Sequence, residues 1–352
     1  MSKKIPHNES DLSLWQKIRR KIFFLFRLNH DPVIKVYNGY GNPKKIIVMG
    51  HVLKLSPMPR KTYRKNRIVN LFSVLRLFMV IPFSNAKISI NWKGNIYQTD
   101  AEEDGFFRYE IFPDTTPYEG WQSIVVKLEE RKYRLQNIQQ SGEIYIPFPS
   151  QYGFISDIDD TLLISHSVHL RRRLYELLSK NAHTRKAFEG VVNHYQLLAE
   201  SRQINNNSNP FFYVSGSEWN LYDFIVEFFR INNLPKGIFL LSQLKQVSQF
   251  WKSGQTELMT KFMRIIRVIE DFPHLLFVLL GDDSQKDPEI YLSVVKHFPK
   301  KIFAVYIRCL TNNPSGKVKI MIHEMESNGV LCCYFKHSAE AVIHSKMIGL
   351  TK

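Results

Sequence analysis

Phe154-Ile155-Ser156-Asp157-Ile158-Asp159-Asp160-Thr161-Leu162-Leu163 is a short apolar run that ends in three carboxylates within four positions and then a threonine. Carboxylates this close repel one another unless a cation sits among them. Asp157 and Asp159 lie two apart, just past the expected strand Phe154–Ser156, so both can face one pocket. Hard oxygen ligands in such a place suit Mg²⁺ and phosphate chemistry. The competing reading is an acidic strand-to-helix turn in which Asp160 and Thr161 serve as caps.

Downstream of this stretch, apolar runs alternate with segments of helical character, the pattern of a parallel α/β sheet. The expected strands are Phe154–Ser156, Phe211–Val214, Ile238–Leu241, Leu276–Leu280 and Ile302–Ile307. Helices are expected over Leu221–Phe229, Glu257–Asp271 and Glu289–His297. A polar insertion, Ser167–Ser208, separates the first two strands; part of it is expected to be the crossover helix, and 168–209 has room for a small cap.

Ligands of an open parallel sheet bind at the carboxyl ends of its strands. Here the second strand runs into Ser215-Gly216-Ser217, and the fourth into Gly281-Asp282-Asp283-Ser284-Gln285-Lys286-Asp287. Lys261 lies on the helix before the fourth strand. Taken singly, Ser215 reads as a helix cap and Lys261 as a solvated residue, with Lys252 as its rival. Asp283 reads as facing solvent or the outer sphere of a metal, His166 and His169 as surface histidines, and Trp219 as helix packing. Acid, hydroxyl, lysine and acid in that order are harder to dismiss together.

In that order the groups resemble the four motifs of the haloacid dehalogenase-like phosphatases. Ser156–Thr161, Tyr213-Val214-Ser215, Trp219 with Leu221-Tyr222, Gly281-Asp282 through Gln285, Asp287-Pro288-Glu289-Ile290-Tyr291 and Tyr306-Ile307-Arg308 resemble, more narrowly, the catalytic-domain family typified by the actin-patch phosphatidate phosphatase. Tyr37-Asn38-Gly39-Tyr40-Gly41 and Gly50-His51-Val52 resemble the start of the β-domain that precedes it in bacterial members, so the resemblance covers about residues 33–310. Two departures stand out. Glu218 and Gly216 flank Ser217 where the family has Asn and Pro, and Asp283 adds an acid beside the metal where a small residue is common.

The resemblance implies a Rossmann-like parallel sheet of the haloacid dehalogenase-like type, and a Mg²⁺-dependent phosphatase for phosphatidate or a related phospholipid phosphomonoester. Asp157 would be the nucleophile, forming an aspartyl phosphate. Asp159 would protonate the leaving alcohol and then activate water. Asp157, Asp159 (through its carbonyl), Asp282 and Asp287 would form the metal site, Lys261 would neutralise charge, and Thr161, Ser215 and Gly216 would hold the phosphate. Soluble or protein phosphoesters are the alternative substrates. The non-enzymatic alternative is a basic membrane-docking module with a vestigial site.

Upstream, residues 33–148 read as short strands with polar turns, which argues for a β-sandwich over 31–150. Its strands are Val33–Val36, Ile46–Val52, Ala86–Trp92, Gly105–Phe112 and Trp121–Leu128, with a turn over Asn38–Pro43. A basic insertion, Pro57–Leu77, interrupts them and suits either a polyanion contact or a solvated connector. In residues 1–30, Leu12, Trp15, Ile18, Ile22 and Phe26 recur at helical spacing among Lys17, Arg19, Arg20 and Lys21. That is a basic amphipathic leader, lying on an anionic bilayer or packed on its own domain.

The chain has 352 residues, 44% hydrophobic, enough for two domains with full cores, and a formal charge of +16 that favours anionic partners. An anionic phospholipid surface is the expected partner. Nucleic acid is not expected, because no aromatic-basic recognition motif accompanies the charge. Cys309, Cys332 and Cys333 have neither disulfide-framework nor metal-ligand spacing, which points to a reducing, cytoplasmic setting, peripheral on the inner face of a membrane. The catalytic domain is expected over 151–312, followed by an extension, 313–352, with a strand at Val330–Phe335 and a helix at Ala339–Ile348.

Overall fold

The computed structural model describes residues 28–29, 31–57, 79–130, 133, 136–149, 151–158, 190–201, 203–242, 257–283, 286–310 and 316–352. The leader up to residue 27, the basic insertion beyond Pro57, the cap region up to residue 189, Asp159, Thr161, His166, His169 and Lys252 lie outside them.

Strand β4 (Lys45–Pro57) is the spine of the N-terminal half. It pairs with β2 (Val33–Val36) and β3 (Gly39–Asn42) along one edge, and with β8 (Phe106–Ile111) and β5 (Ile81–Pro82) along the other. With β1 (Leu28–Asn29), β6 (Lys87–Trp92), β7 (Asn95–Asp100), β9 (Gly120–Leu128) and β10 (Gln139–Ile146), ten strands join in one mixed sheet, in which β3 and β10 run parallel. The sheet closes over a core that includes Ile46, Val48, Val52, Ile88, Ile90, Ile124, Val126 and Ile144. A β-sandwich is the expectation here; the strands observed instead join in one sheet, with β2, β5 and β8 branching from its main path at β4.

Ile47, Met49 and Leu53, the alternate residues of β4, belong to the other large core, shared with the C-terminal half. A strand buried on both faces reads as a continuous apolar run, as Ile46-Ile47-Val48-Met49 does.

The turn expected over Asn38–Pro43 is corrected to strand β3, with the turn itself at Pro43-Lys44. A Cβ on Gly39 would lie 2.3 Å from the Ile47 carbonyl oxygen, so glycine is what lets β3 pack this closely on β4.

In the C-terminal half, β11 (Tyr152–Asp157), β12 (Phe211–Glu218), β13 (Ile238–Ser242), β14 (Leu276–Asp282), β15 (Ile302–Arg308) and β16 (Leu331–Phe335) form one sheet in the order β13-β12-β11-β14-β15-β16. Every neighbouring pair is parallel. The helices are α1 (Val191–Glu200), α2 (Tyr222–Ile231), α3 (Glu257–Asp271), α4 (Asp287–His297), α5 (Gly316–Ser327) and α6 (Ser338–Met347).

All six residues of β11 are buried, as a central strand requires. The Phe154 and Phe211 rings stack at 4.8 Å, and each such buried ring contributes about 2–3 kcal/mol. The strand expected at Val330–Phe335 is β16, which pairs with β15, so the tail continues the sheet.

Candidate active site

Backbone register alone brings the predicted groups to one edge of the sheet. Asp157 ends β11 and pairs with Val214, the residue before Ser215 on β12. On the other side Ser156 pairs with Leu280, two residues before Asp282. Asp287 opens α4, with Pro288 in the first turn, where its missing N–H costs nothing.

Asp157, Asp282 and Asp287 each offer a carboxylate oxygen within 4.8 Å of the others, and all three are fully buried. The Lys261 ammonium lies 2.8 Å from Asp157 Oδ1 and 2.5 Å from Asp287 Oδ1. Asp287 Oδ2 accepts from the Asp282 backbone N–H at 3.2 Å. Asp287 therefore ties Lys261 to the end of β14. A Cβ on Gly281 would lie 2.5 Å from Asp287 Oδ2 and 2.8 Å from the Tyr291 ring, so this position admits only glycine without displacing the carboxylate. The Tyr291 hydroxyl donates to the Leu280 carbonyl at 2.8 Å and pins α4 to β14.

Burial opposes the Lys261 charge, yet the Asp157 and Asp287 carboxylates hold its pKa above the ordinary lysine value. Three buried carboxylates gather here, Asp157 and Asp287 on the Lys261 ammonium and Asp282 under the influence of the buried Arg308 guanidinium. The all-oxygen donor set of the three aspartates fits a hard divalent ion such as Mg²⁺.

Ser215 is buried within β12, where the register with β13 shifts between Val214 and Glu218, and its Oγ accepts from the Ser217 N–H at 2.9 Å. Gly216 follows it, half-buried, in the same strand. The structure thus brings together Asp157, Asp282, Asp287 and Lys261, with Ser215 and Gly216 on the adjoining strand. Asp159 and Thr161 fall outside the described residues.

Asp283, expected to face solvent or lie beside the metal, instead accepts from the Leu310 N–H at 2.8 Å and from the Tyr334 hydroxyl on β16 at 2.7 Å. Trp219 packs as expected, but its partner is Tyr37 of the N-terminal half, stacked at 4.1 Å.

Three supporting groups escaped sequence reading. Arg264 Nη1 donates to the Ser215 carbonyl at 3.0 Å, one turn along α3 from Lys261. Tyr195 on α1 places its hydroxyl 2.9 Å from Ser156 Oγ, beneath Asp157. The Tyr334 contact comes from the tail. Helical spacing from Lys261 was the one signal that pointed to Arg264.

With this geometry in place, comparison with known proteins is informative. Residues 152–309 match the family model of the phosphatidate phosphatase APP1 catalytic domain. This segment, a little under half of the chain, is similar to the APP1-like family. It is 31% identical to phosphatidate phosphatase APP1 of Saccharomyces cerevisiae over 176 residues, covering 48% of this chain and 28% of the yeast protein. An uncharacterized protein of Schizosaccharomyces pombe is 26% identical over 169 residues, covering 47% of this chain and 26% of that protein. The chain therefore spans only about a quarter of the length of these curated relatives. Among solved structures, the carbohydrate acetylesterase XAC1771 of Xanthomonas citri aligns over 90% of this chain and 73% of its own, at 9% identity and a TM-score of 0.34, a likeness too slight to carry an argument. Asp157, Ser215, Lys261, Asp282 and Asp287 all lie inside the APP1-like segment.

Proposed function

We propose that this chain is a Mg²⁺-dependent phosphoric monoester hydrolase of the haloacid dehalogenase-like type, acting on phosphatidate or a related phospholipid phosphomonoester. The observation that carries the reading is the buried Asp157–Lys261–Asp287–Asp282 cluster at the carboxyl edge of the parallel sheet. Similarity of residues 152–309 to the APP1 catalytic domain supports the substrate class.

Asp157 is the nucleophile. Its carboxylate attacks phosphorus in line, the aspartyl P–O bond forms and the ester P–O bond breaks. Asp159 gives its proton to the departing alkoxide, then takes one from the water that attacks phosphorus and frees Asp157. Lys261 holds the Asp157 carboxylate in place and offsets charge as the phosphoryl group transfers. The Ser215 hydroxyl and the amides of its loop orient the phosphoryl oxygens, with Gly216 keeping the approach open and Thr161 as a further donor. Mg²⁺, held by Asp157, Asp282 and the Asp159 carbonyl and oriented through Asp287, would screen the repulsion between nucleophile and phosphate dianion.

Delivery to substrate is read as peripheral docking on an anionic phospholipid surface, on a membrane's inner face, for which the formal charge of +16 is the support. Among the described residues no helix is long and apolar enough to cross a membrane.

The test is phosphate release from phosphatidate vesicles with and without Mg²⁺, beside p-nitrophenyl phosphate as a soluble substrate and Asp157→Asn as control. Release from vesicles that needs both Mg²⁺ and Asp157 is expected. Turnover of the soluble ester alone overturns the lipid substrate, and vesicle binding without any turnover favours a docking module.

A further inference from the structure

The element that follows the phosphate loop is gripped by the N-terminal sheet. Trp219 directly follows Glu218, the last residue of β12, in a short 3-10 turn, Trp219–Leu221. Tyr37, between β2 and β3, lies flat on the Trp219 ring at 4.1 Å and an interplanar angle of 7°. Phe106 of β8 stacks on Trp219 at 6.2 Å and meets the His51 ring of β4 at 5.1 Å.

Tyr37 is itself held. Burial keeps its phenol protonated and keeps the His51 imidazole neutral, and the hydroxyl and His51 Nδ1 share a hydrogen bond at 2.9 Å. Tyr222 packs on Tyr37 at 4.3 Å, and its hydroxyl accepts from the Asn38 N–H at 3.0 Å. Tyr37, His51 and Trp219 are all buried. Groups from β2 through β8 therefore fix one ring, four residues past Ser215. At the loop's other end, Arg264 holds the Ser215 carbonyl.

We propose that Tyr37 is a positioning residue for catalysis: its stack on Trp219 makes the N-terminal sheet the frame that sets the phosphate loop. This inference rests on the phosphatase reading. The physical reason is tolerance. A phosphoryl cradle works only when held within about 0.5 Å, and a misplacement of about 1 Å costs on the order of a hundredfold in rate. A loop ended by a ring clamped in a rigid sheet loses little entropy when substrate orders it. A loop released at that end must be ordered at every turnover.

The same interface has a far end that serves as a control. Lys45 Nζ lies 2.5 Å from Asp271 Oδ1, and Asn42 Nδ2 donates to the Asp271 carbonyl at 2.6 Å, at the last turn of α3 and away from the loop. Loosening the halves there weakens the interface without touching Trp219.

The experiment compares full-length Tyr37→Leu, Tyr37→Phe, Lys45→Ala and Asn42→Ala with the wild type. It reads kcat and KM with Mg²⁺, inhibition by inorganic orthovanadate, thermal midpoint, and amide exchange of residues 215–219. Tyr37→Leu is expected to lower kcat about ten- to a hundredfold, weaken orthovanadate in parallel, move KM less, and speed exchange of the loop. Tyr37→Phe keeps the stack and stays within about threefold of wild type. Lys45→Ala and Asn42→Ala lower the midpoint but hold kcat within about twofold.

Equal kcat and orthovanadate inhibition in Tyr37→Leu and wild type overturns the proposal. So does a loss in Tyr37→Leu that Lys45→Ala matches at the same midpoint. Should Tyr37→Leu not fold, Phe106→Leu removes the outer ring and gives the same pattern at about three- to tenfold; no change in its kcat counts against the proposal equally. A wild type that turns over no phosphomonoester sinks the proposed function, and loop exchange then decides the clamp: faster in Tyr37→Leu supports it, unchanged overturns it.

Discussion

Lys261 and Asp157 form a buried ion pair, Nζ to Oδ1 at 2.8 Å, with Asp287 sharing the same ammonium at 2.5 Å. Removing that ammonium leaves the buried carboxylates of Asp157 and Asp287 facing each other. Lys261→Met is expected to destabilise the fold by about 3–5 kcal/mol and to lower kcat by about two to three orders of magnitude. Lys261→Arg does not rescue it, because a planar guanidinium cannot take the place of a compact ammonium between two carboxylates. Urea midpoints and single-turnover rates measure the two effects separately.

The proposed Mg²⁺ would act on the same carboxylates. Chelation with EDTA is expected to abolish turnover and excess Mg²⁺ to restore it. Mg²⁺ also raises the thermal midpoint of the wild type, since an ion bound by the folded state alone stabilises it. Asp282→Asn shifts the Mg²⁺ concentration for half-maximal rate upward by about tenfold or more and shows a smaller midpoint shift. An unchanged Mg²⁺ response in this variant removes Asp282 from the metal site.

Gly281 is predicted to be irreplaceable for a steric reason. Its substitution by alanine drives a methyl group into Asp287 Oδ2 and the Tyr291 ring. Gly281→Ala is expected to lose about ten- to a hundredfold in kcat, because Asp287 orients both Lys261 and the Asp282 amide. Kinetics of Gly281→Ala beside Asp287→Asn checks this: similar losses are expected, and full activity in Gly281→Ala contradicts the contact.

Two buried histidines set the acid response. Burial pushes His51 down to about 3, helped by nearby Lys35, and pushes His194 down to about 3, helped by Arg308 and His344. In the unfolded chain both titrate near the ordinary value of about 6.5. Between these values the unfolded state binds more protons, so stability falls as pH drops from about 6.5 toward 3. Each histidine contributes a slope of about 1.4 kcal/mol per pH unit within that window. Urea midpoints from pH 7 to pH 4 should show the decline, and His194→Gln should flatten it by about one proton.

Much of the site was legible because its groups sit at ends of apolar runs. Asp157 and Asp282 each close a strand, Ser215 directly follows the apolar run Phe211–Val214, and a strand's carboxyl end is where a parallel sheet exposes chemistry. Asp287 was readable as the second acid of the run that follows the fourth strand. The strand β3 was missed because its glycines carry a turn signal locally, whereas their use is close approach to β4, a tertiary fact. The strand β10 was missed because its first half is polar and exposed, leaving little alternation to read. Tyr334 on Asp283 and Tyr37 on Trp219 join residues far apart in the chain, and no periodicity connects them.

The most direct test of the central claim is acid quenching of full-length, Mg²⁺-loaded protein mixed with radiolabelled phosphatidate vesicles, followed by mapping of the labelled peptide. The account predicts a transient acid-stable label on Asp157 that decays as free phosphate appears, and neither label nor release from Asp157→Asn. Phosphate release by Asp157→Asn at the wild-type rate, or a folded wild type that neither takes up label nor releases phosphate, contradicts it.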